Sequence, residues 1–124
     1  AYFPRIYDLA HRVFEACWPE MCGVDYPTVL GELKVGFPVI NITSDFKAPM
    51  RYGDLISAHI SISHIGTTSL VWEYRFINQH SHLVWTSSQT TVCVNMDTLK
   101  PTPIPERLKT GLLNHLDGGV KNEQ

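Results

Sequence analysis

Paired histidines and paired cysteines are the residues of this chain whose spacing is typical of metal sites. One residue separates His80 from His82, and four separate Cys17 from Cys22. A zinc site needs three or four ligands in a tetrahedral arrangement. No third His, Cys or Asp stands at a useful spacing from the histidines, and no second pair completes the cysteines. We therefore predict no metal, and nothing in the sequence calls for a cofactor.

Other charged and nucleophilic side chains do not form a catalytic motif. The chain has no Gly-x-Ser-x-Gly elbow and no phosphate-binding glycine loop. Asp8 and Arg12 have the i,i+4 spacing of an ion pair on a helix surface. His59 and His64 have opposite parity within one predicted strand, so we expect them on opposite faces of the sheet.

Composition and charge exclude several classes of partner. The 124 residues fit one domain, and a net charge of −2 with scattered basic residues gives no basis for nucleic-acid binding. No apolar run approaches the ~20 residues of a membrane span. Three cysteines without a C-x-x-C motif argue against a disulfide framework and predict a cytoplasmic location. We expect neither a nucleic-acid nor a membrane partner.

Periodicity divides the chain into a helical part and an extended part. Apolar residues at i, i+3 and i+4 predict a helix over residues 4–18, with Pro4 in its first turn and a break at Pro19. A period of two then predicts four antiparallel strands within residues 37–46, 55–65, 69–78 and 83–96. Leucines after a proline-rich stretch predict a short closing helix.

Alternation also predicts which faces are buried. Leu70, Trp72, Tyr74 and Phe76 share one parity, and Val84, Val92, Val94 and Met96 share one in the following strand. A strongly curved antiparallel sheet can wrap one long helix, which predicts an α+β fold. A chain of this size has little room for a private cavity, so we expect an active site at a subunit interface. Exposed strand edges predict a homodimer or a homotetramer.

Four stretches resemble one known family. They are "YFPRIYDLAH", "FKAPMRYGD", "IGTTSLVWEYRF" and "KPTPIPERL". In order and spacing they are similar to the 4-hydroxybenzoyl-CoA thioesterase family of acyl-CoA thioesterases, over nearly the whole chain. That family has the hot-dog fold, in which a curved antiparallel sheet wraps one central helix. The resemblance implies that residues 1–124 form a single hot-dog domain.

The resemblance also implies a function and a site. The family hydrolyses an acyl-CoA thioester to a carboxylic acid and CoA. Its first strand and a catalytic loop with an Asp precede the helix, and the sequence here lacks a counterpart of both. By position, Phe3 supplies a backbone N–H to the oxyanion, and Pro4 fixes the helix start. The first turn of a helix carries unpaired N–H groups and partial positive charge, which suits this role.

Substrate-binding positions follow from the same resemblance. His11 lies on the helix face that the family turns toward the acyl group, although an i,i+4 pair with Glu15 is an equal alternative. Thr67, Thr68 and Ser69 lie at the hairpin where the family binds the nucleotide of CoA. This hairpin lacks the cation that the family often places there.

Several alternatives remain open at this level. Because the hairpin lacks a cation, an acyl-carrier-protein thioester is an alternative substrate. A non-catalytic acyl-thioester-binding protein is a second alternative. A hot-dog dehydratase is a third, but it needs a catalytic His paired with a carboxylate, which no pattern here demands. Asp8 is the substitute base if no Asp precedes the helix.

Overall fold

The computed structural model describes residues 3–116, in which the chain forms three helices and six strands. The helices are α1 (Phe3–Cys22), α2 (Tyr26–Gly31) and α3 (Glu106–Asn114). The strands are β1 (Val35–Gly36), β2 (Val39–Phe46), β3 (Ser57–Ile65), β4 (Ser69–Ile77), β5 (Leu83–Val92) and β6 (Val94–Asn95). The predicted α+β class is confirmed, and β2 to β5 are the four predicted strands.

Strands β2 to β5 form one antiparallel sheet in the order β2-β5-β4-β3, while β1 and β6 pair in a separate ribbon. Helix α1 packs on one face of the larger sheet. Strand β4 turns four residues toward α1, and all four are buried, as the alternation predicts: Leu70, Trp72, Tyr74 and Phe76. Strands β2 and β3 form the two edges of this sheet.

The inward face of β5 is polar, contrary to what the alternation of its apolar residues predicts. Gln89 pairs directly with the buried Trp72, so Gln89 and its neighbours Ser87 and Thr91 point toward α1. Val92 has the opposite parity and lies in the outer face. Apolar alternation fails as a guide here because this inward face lines a cavity rather than solid core.

A stripe along α1 is buried against the sheet. It consists of Ile6, Ala10, Phe14, Trp18 and Met21. The ring centroids of Phe14 and Trp18 lie 5.1 to 5.8 Å from those of neighbouring aromatic rings on α2, β4 and the β1–β2 loop. These offset and edge contacts are favourable beyond the burial of area, so they hold α1 in one position on the sheet.

Helix α1 continues through Pro19, where the sequence predicts a break, and ends at Cys22. Proline in a helix leaves one carbonyl without its N–H partner, at a cost of ~3 kcal/mol. Trp18 and Met21 on either side of it are buried, and their burial offsets that cost. Gly23, with φ of +75°, ends the helix and donates its N–H to the Pro19 carbonyl at 2.9 Å.

Helix α3 crosses the last turn of α1 at a glycine. A Cβ atom at Gly111 would collide with the backbone carbonyl of Met21. Leu108 and Leu112, one turn apart, are fully buried beside this crossing, while Leu113 is exposed. The backbones of α1 and α3 therefore approach each other at a distance that only glycine permits.

Gly111→Ala should lower the free energy of unfolding by about 1–3 kcal/mol, since the obstacle is backbone and cannot rotate away. Urea denaturation measures this change. Gly31→Ala is the matched control, because a Cβ atom there meets no atom within 4 Å and the stability should hold or rise slightly. Equal stability of the two variants would contradict the close helix crossing.

Candidate active site

A partly open apolar hollow lies between α1, α2 and the β2–β5 part of the sheet, and we call it the α1–β5 cavity. Its volume is about 510 Å³. Its walls are mostly apolar and include the rings of Tyr7, Phe14, Tyr26, Phe37 and Tyr74. A cavity of this size with aromatic walls suits a small organic group.

A chain of hydrogen bonds connects two residues that line the α1–β5 cavity, Tyr7 and Gln89. Tyr7 on α1 and Ser44 on β2 share a hydrogen bond of 2.8 Å between their oxygens. Ser44 and Ser87 share another of 2.9 Å, and Gln89 Nε2 donates to Ser87 Oγ at 3.2 Å. This network ties α1 to both strands and fixes the rotamers of the polar side chains below the cavity.

The direction of these hydrogen bonds follows from one carbonyl group. Ser87 Oγ donates to the Thr43 carbonyl at 3.1 Å, and a carbonyl can only accept. Ser87 thereby commits its single proton, so Ser44 donates to Ser87 and Tyr7 donates to Ser44. The Gln89 amide must then turn its nitrogen toward Ser87, which leaves its oxygen without a donor among residues 3–116.

His11 also lines the α1–β5 cavity, and the substrate-binding role that the resemblance implies for it stays a prediction. Its Nε2 atom lies 2.9 Å from Glu15 Oε2, so the alternative i,i+4 pair is present as well. The imidazole stacks on Phe14, with ring centroids 6.1 Å apart. The two roles weighed for His11 are therefore compatible, because the partner carboxylate orients the ring at the edge of the cavity.

The first turn of α1 begins at Phe3, one helical turn before Tyr7. No acidic residue lies in that turn, so no carboxylate of the helix itself occupies its free N–H groups. Phe3 and Pro4 are the first two residues of α1, and the oxyanion role that the resemblance implies for this helix start stays a prediction. The upstream Asp that the resemblance implies lies outside the described residues.

Asp8 faces away from the α1–β5 cavity. It lies with Arg5, Arg12 and Arg51 around a second hollow of about 430 Å³ on the other face of α1. Its Oδ2 atom is 3.2 Å from Arg12 Nη2, which confirms the predicted ion pair. An exposed pair of this kind contributes only ~0.3–0.5 kcal/mol.

The β3–β4 hairpin lies at the other end of the sheet from the start of α1. Ser69 pairs with Val92 at one end of β5, whereas Trp85 at the other end contacts Tyr7, with ring centroids 5.7 Å apart. One chain thus does not bring Thr67 and Ser69 together with the helix start. The hydroxyl groups of this hairpin form no hydrogen bond with any residue between 3 and 116.

The remaining histidines form no metal site in the described residues. His80 and His82 lie in the β4–β5 turn, where their backbone N–H groups donate to Asn78 Oδ1. The prediction that His59 and His64 lie on opposite faces is wrong. A bulge after Ile62 shifts the register, so both histidines lie on the outer face of the sheet and both are exposed.

The three cysteines are free thiols without the features of a nucleophile. Burial raises the pKa of Cys17 to about 12 and the pKa values of Cys22 and Cys93 to about 11. A thiol with such a pKa is almost fully protonated near neutral pH, and the thiolate is the reactive form. The cysteines therefore supply no catalytic group to the α1–β5 cavity.

Sequence reasoning missed the polar floor of the cavity. Three polar residues alternate along β5 and pair with inward residues of β4: Ser87, Gln89 and Thr91. Ser44 on β2 pairs with the first of them. The signal was present as the run "TSSQTT", in which every second residue is in phase with Trp85. Only the pairing with β4 shows that this phase faces inward.

A sequence profile of the thioesterase superfamily matches residues 1–84. The match covers more than half of the chain, and the chain belongs to this superfamily. The predicted family and the predicted class of enzyme, a thioester hydrolase, are thereby confirmed. Among the described residues no helix is both long and apolar enough to cross a membrane.

Individual proteins agree with this membership. The chain is 24% identical to a 1,4-dihydroxy-2-naphthoyl-CoA hydrolase of Synechococcus elongatus, over 90% of this chain and 81% of that protein. A thioesterase-superfamily structure from Jannaschia sp. CCS1 matches with a TM-score of 0.86 at 21% identity, over 95% of this chain and 82% of that one. A gentisyl-coenzyme A thioesterase structure matches with a TM-score of 0.77 at 25% identity, over 88% and 85%. The predicted hot-dog fold is confirmed.

Proposed function

We propose that this chain is a homodimeric thioesterase that hydrolyses acyl-CoA thioesters with an aromatic acyl group. The observation that carries this proposal is the α1–β5 cavity, whose aromatic walls begin one turn beyond the start of α1. A thioester at the helix start can place its acyl group in that cavity. Membership of the superfamily and the CoA thioesters named for its relatives support acyl-CoA as the substrate.

Aromatic side chains around the cavity favour a ring as the acyl group. The ring centroids of Phe14 and Tyr26 lie 5.1 Å apart, and Tyr74 forms the wall of the cavity at β4. Offset and edge contacts between rings stabilise an aromatic ligand beyond its area burial. The acyl groups named for two of the relatives, dihydroxynaphthoyl and gentisyl, are also aromatic.

The helix start supplies the electrostatic part of the reaction. The backbone N–H of Phe3 donates to the thioester carbonyl, and the donation strengthens as the oxyanion forms. The sulfur leaves as a thiolate, a good leaving group that needs no strong acid. A carboxylate either activates water or attacks the carbonyl itself.

We assign that carboxylate to the upstream Asp that the family resemblance implies. Asp8 is the alternative within the chain, but it is held by Arg12 and faces the hollow opposite the α1–β5 cavity. Pro4 sets the geometry of the first turn, since its missing N–H has no helical partner to lose.

The dimer forms through β2. All eight residues of this edge strand are exposed, including the apolar Val39, Ile40 and Ile42. An open apolar edge is a template for pairing with a second strand. The other edge is less available, because the Ile62 N–H of β3 donates to the His115 carbonyl at 3.3 Å. A homotetramer built from two such dimers is the alternative assembly.

A two-fold axis at β2 also explains why the hairpin is remote within one chain. Antiparallel pairing of two β2 strands sets the Phe46 end of one beside the Val39 end of the other. The start of α1 lies near the first of these ends, and the β3–β4 hairpin lies near the second. Thr67, Thr68 and Ser69 of the partner subunit thus come toward the thioester, where their hydroxyl groups hold the CoA phosphates.

An acyl-carrier-protein thioester is the second candidate substrate, because the hairpin carries no Lys or Arg to neutralise a nucleotide. We place the protein in the cytoplasm, which the three free thiols support.

Thiol release from a panel of thioesters tests the proposal. Aromatic acyl-CoA substrates should give a higher kcat/KM than straight-chain acyl-CoA substrates of similar volume. A matched aroyl-pantetheine, which lacks the nucleotide, reports how much the hairpin contributes. Release from straight chains alone would contradict the aromatic assignment, and no release from any acyl-CoA would contradict the function.

A further inference from the structure

We propose that Gln89 and Thr91 recognise a hydroxyl group on the acyl ring, an assignment that rests on the proposed aromatic thioesterase function. Both residues lie on the inward face of β5, two positions apart, and both line the α1–β5 cavity. Gln89 is 6% exposed and Thr91 is 1% exposed. Both residues line the cavity, where a bound acyl group can reach the hydrogen-bonding positions that the protein does not use.

Gln89 offers a hydrogen-bond acceptor to the cavity. Its Nε2 atom donates to Ser87 Oγ at 3.2 Å, and Ser87 has committed its own proton to the Thr43 carbonyl. The amide therefore cannot turn over without setting its oxygen against an oxygen that has no proton to give. In this fixed orientation Oε1 receives no hydrogen bond from any described residue.

Thr91 offers a donor beside it. Its Oγ1 atom accepts from the indole N–H of Trp72 at 2.9 Å, and both side chains are buried. The proton of the threonine hydroxyl has no acceptor within residues 3–116. The cavity thus presents one fixed acceptor and one free donor on neighbouring inward positions of a single strand.

A neutral hydroxyl group satisfies both positions at once, because it donates to Gln89 and accepts from Thr91. A carboxylate cannot donate to Gln89, and an ammonium group cannot accept from Thr91. A hydrogen or methyl on the ring leaves both buried groups unpaired, which is costly. An amide of the pantetheine arm has the same donor and acceptor chemistry, so the experiment must separate the two sources.

The test compares benzoyl-CoA with its 2-, 3- and 4-hydroxy derivatives in wild type and Gln89→Leu. For the hydroxylated isomer that the wild type prefers, kcat/KM should fall about tenfold to a hundredfold in the variant. Hydrolysis of benzoyl-CoA should change by less than about threefold, since it has no hydroxyl to lose. The preference for a hydroxylated ring should therefore disappear in Gln89→Leu.

Two further variants sharpen the comparison. Thr91→Ser keeps the hydroxyl group and should keep the preference. Thr90→Val alters the outer face of the same strand, away from the cavity, and should leave both activities unchanged. Circular dichroism and thermal melting establish that Gln89→Leu is folded. An equal loss for benzoyl and hydroxybenzoyl substrates would overturn the proposal and assign Gln89 to the pantetheine arm or to folding.

Calorimetry separates this inference from the proposed function. The same acyl groups, linked to CoA as non-hydrolysable thioethers, should bind more tightly when hydroxylated, and only when Gln89 is present. An inactive wild type that still shows this pattern would overturn the thioesterase function and leave the hydroxyl site in place. Equal binding of both analogues to wild type and variant would overturn the hydroxyl site.

Discussion

Replacing Phe3 with proline should lower kcat/KM by about two to three orders of magnitude, or ~3 kcal/mol of transition-state stabilisation, as loss of one oxyanion donor typically does. The substitution removes the backbone N–H at the first position of α1. Phe3→Leu keeps that N–H and an apolar side chain, and it should change kcat/KM by less than about tenfold. Steady-state hydrolysis of an aromatic acyl-CoA measures both variants.

The comparison requires that both variants are folded. A proline directly before Pro4 can disturb the helix start, so circular dichroism and the oligomeric mass are measured first. Suppose both variants are folded and lose activity to the same extent. The side chain at position 3 would then be what matters, and the helix start would not be the oxyanion site.

Ile40→Glu should convert the protein to single chains and abolish most of its activity. Ile40 is 62% exposed on the free edge of β2, and the proposed pairing sets position 40 of one strand beside position 45 of the other, so the new carboxylate would meet that of an Asp. Misplacement of the partner's hairpin by even an ångström costs about a hundredfold in rate. Sedimentation should change from twice the chain mass, or a multiple of it, to a species of 14.0 kDa.

Leu113→Glu is the matched control, since Leu113 also has an exposed aliphatic side chain but lies on α3, away from β2. It should keep both the mass and the activity. A wild type that sediments as a 14.0 kDa species at micromolar concentration would contradict the dimer outright. An Ile40→Glu variant that becomes monomeric yet stays active would show that one chain contains the whole site.

The local periods of the sequence were sufficient to predict α1 and the four long strands. In α1 a period of 3.6 residues continues over several turns and buries Ile6, Ala10 and Phe14. In β4 a period of two continues along the strand and buries Trp72 and Phe76. Such a pattern shows which face of a single helix or strand is buried, and the spacing of apolar residues within that element is enough to encode it. The position of Phe3 and Pro4 at the helix start was predictable from the family resemblance.

The remaining features depend on contacts between distant residues. Helix α1 passes through Pro19 because Trp18 and Met21 are buried by other elements, which a local proline rule does not include. The bulge after Ile62 reverses the parity of His64 without any local signal. The inward phase of Gln89 is fixed only by its pairing with β4, and so the polar floor of the cavity emerges from the register of the sheet.

Both the oxyanion site and the acyl pocket are tested by a crystal structure of the protein with a hydroxyaroyl-CoA analogue, in which a methylene separates the carbonyl from sulfur and prevents hydrolysis. The carbonyl oxygen should lie ~3 Å from the backbone nitrogen of Phe3, the distance of an oxyanion donor. The ring should lie in the α1–β5 cavity with its hydroxyl between Gln89 and Thr91. A carbonyl bound away from the start of α1, or a ring outside that cavity, would show that the reaction takes place elsewhere in the molecule.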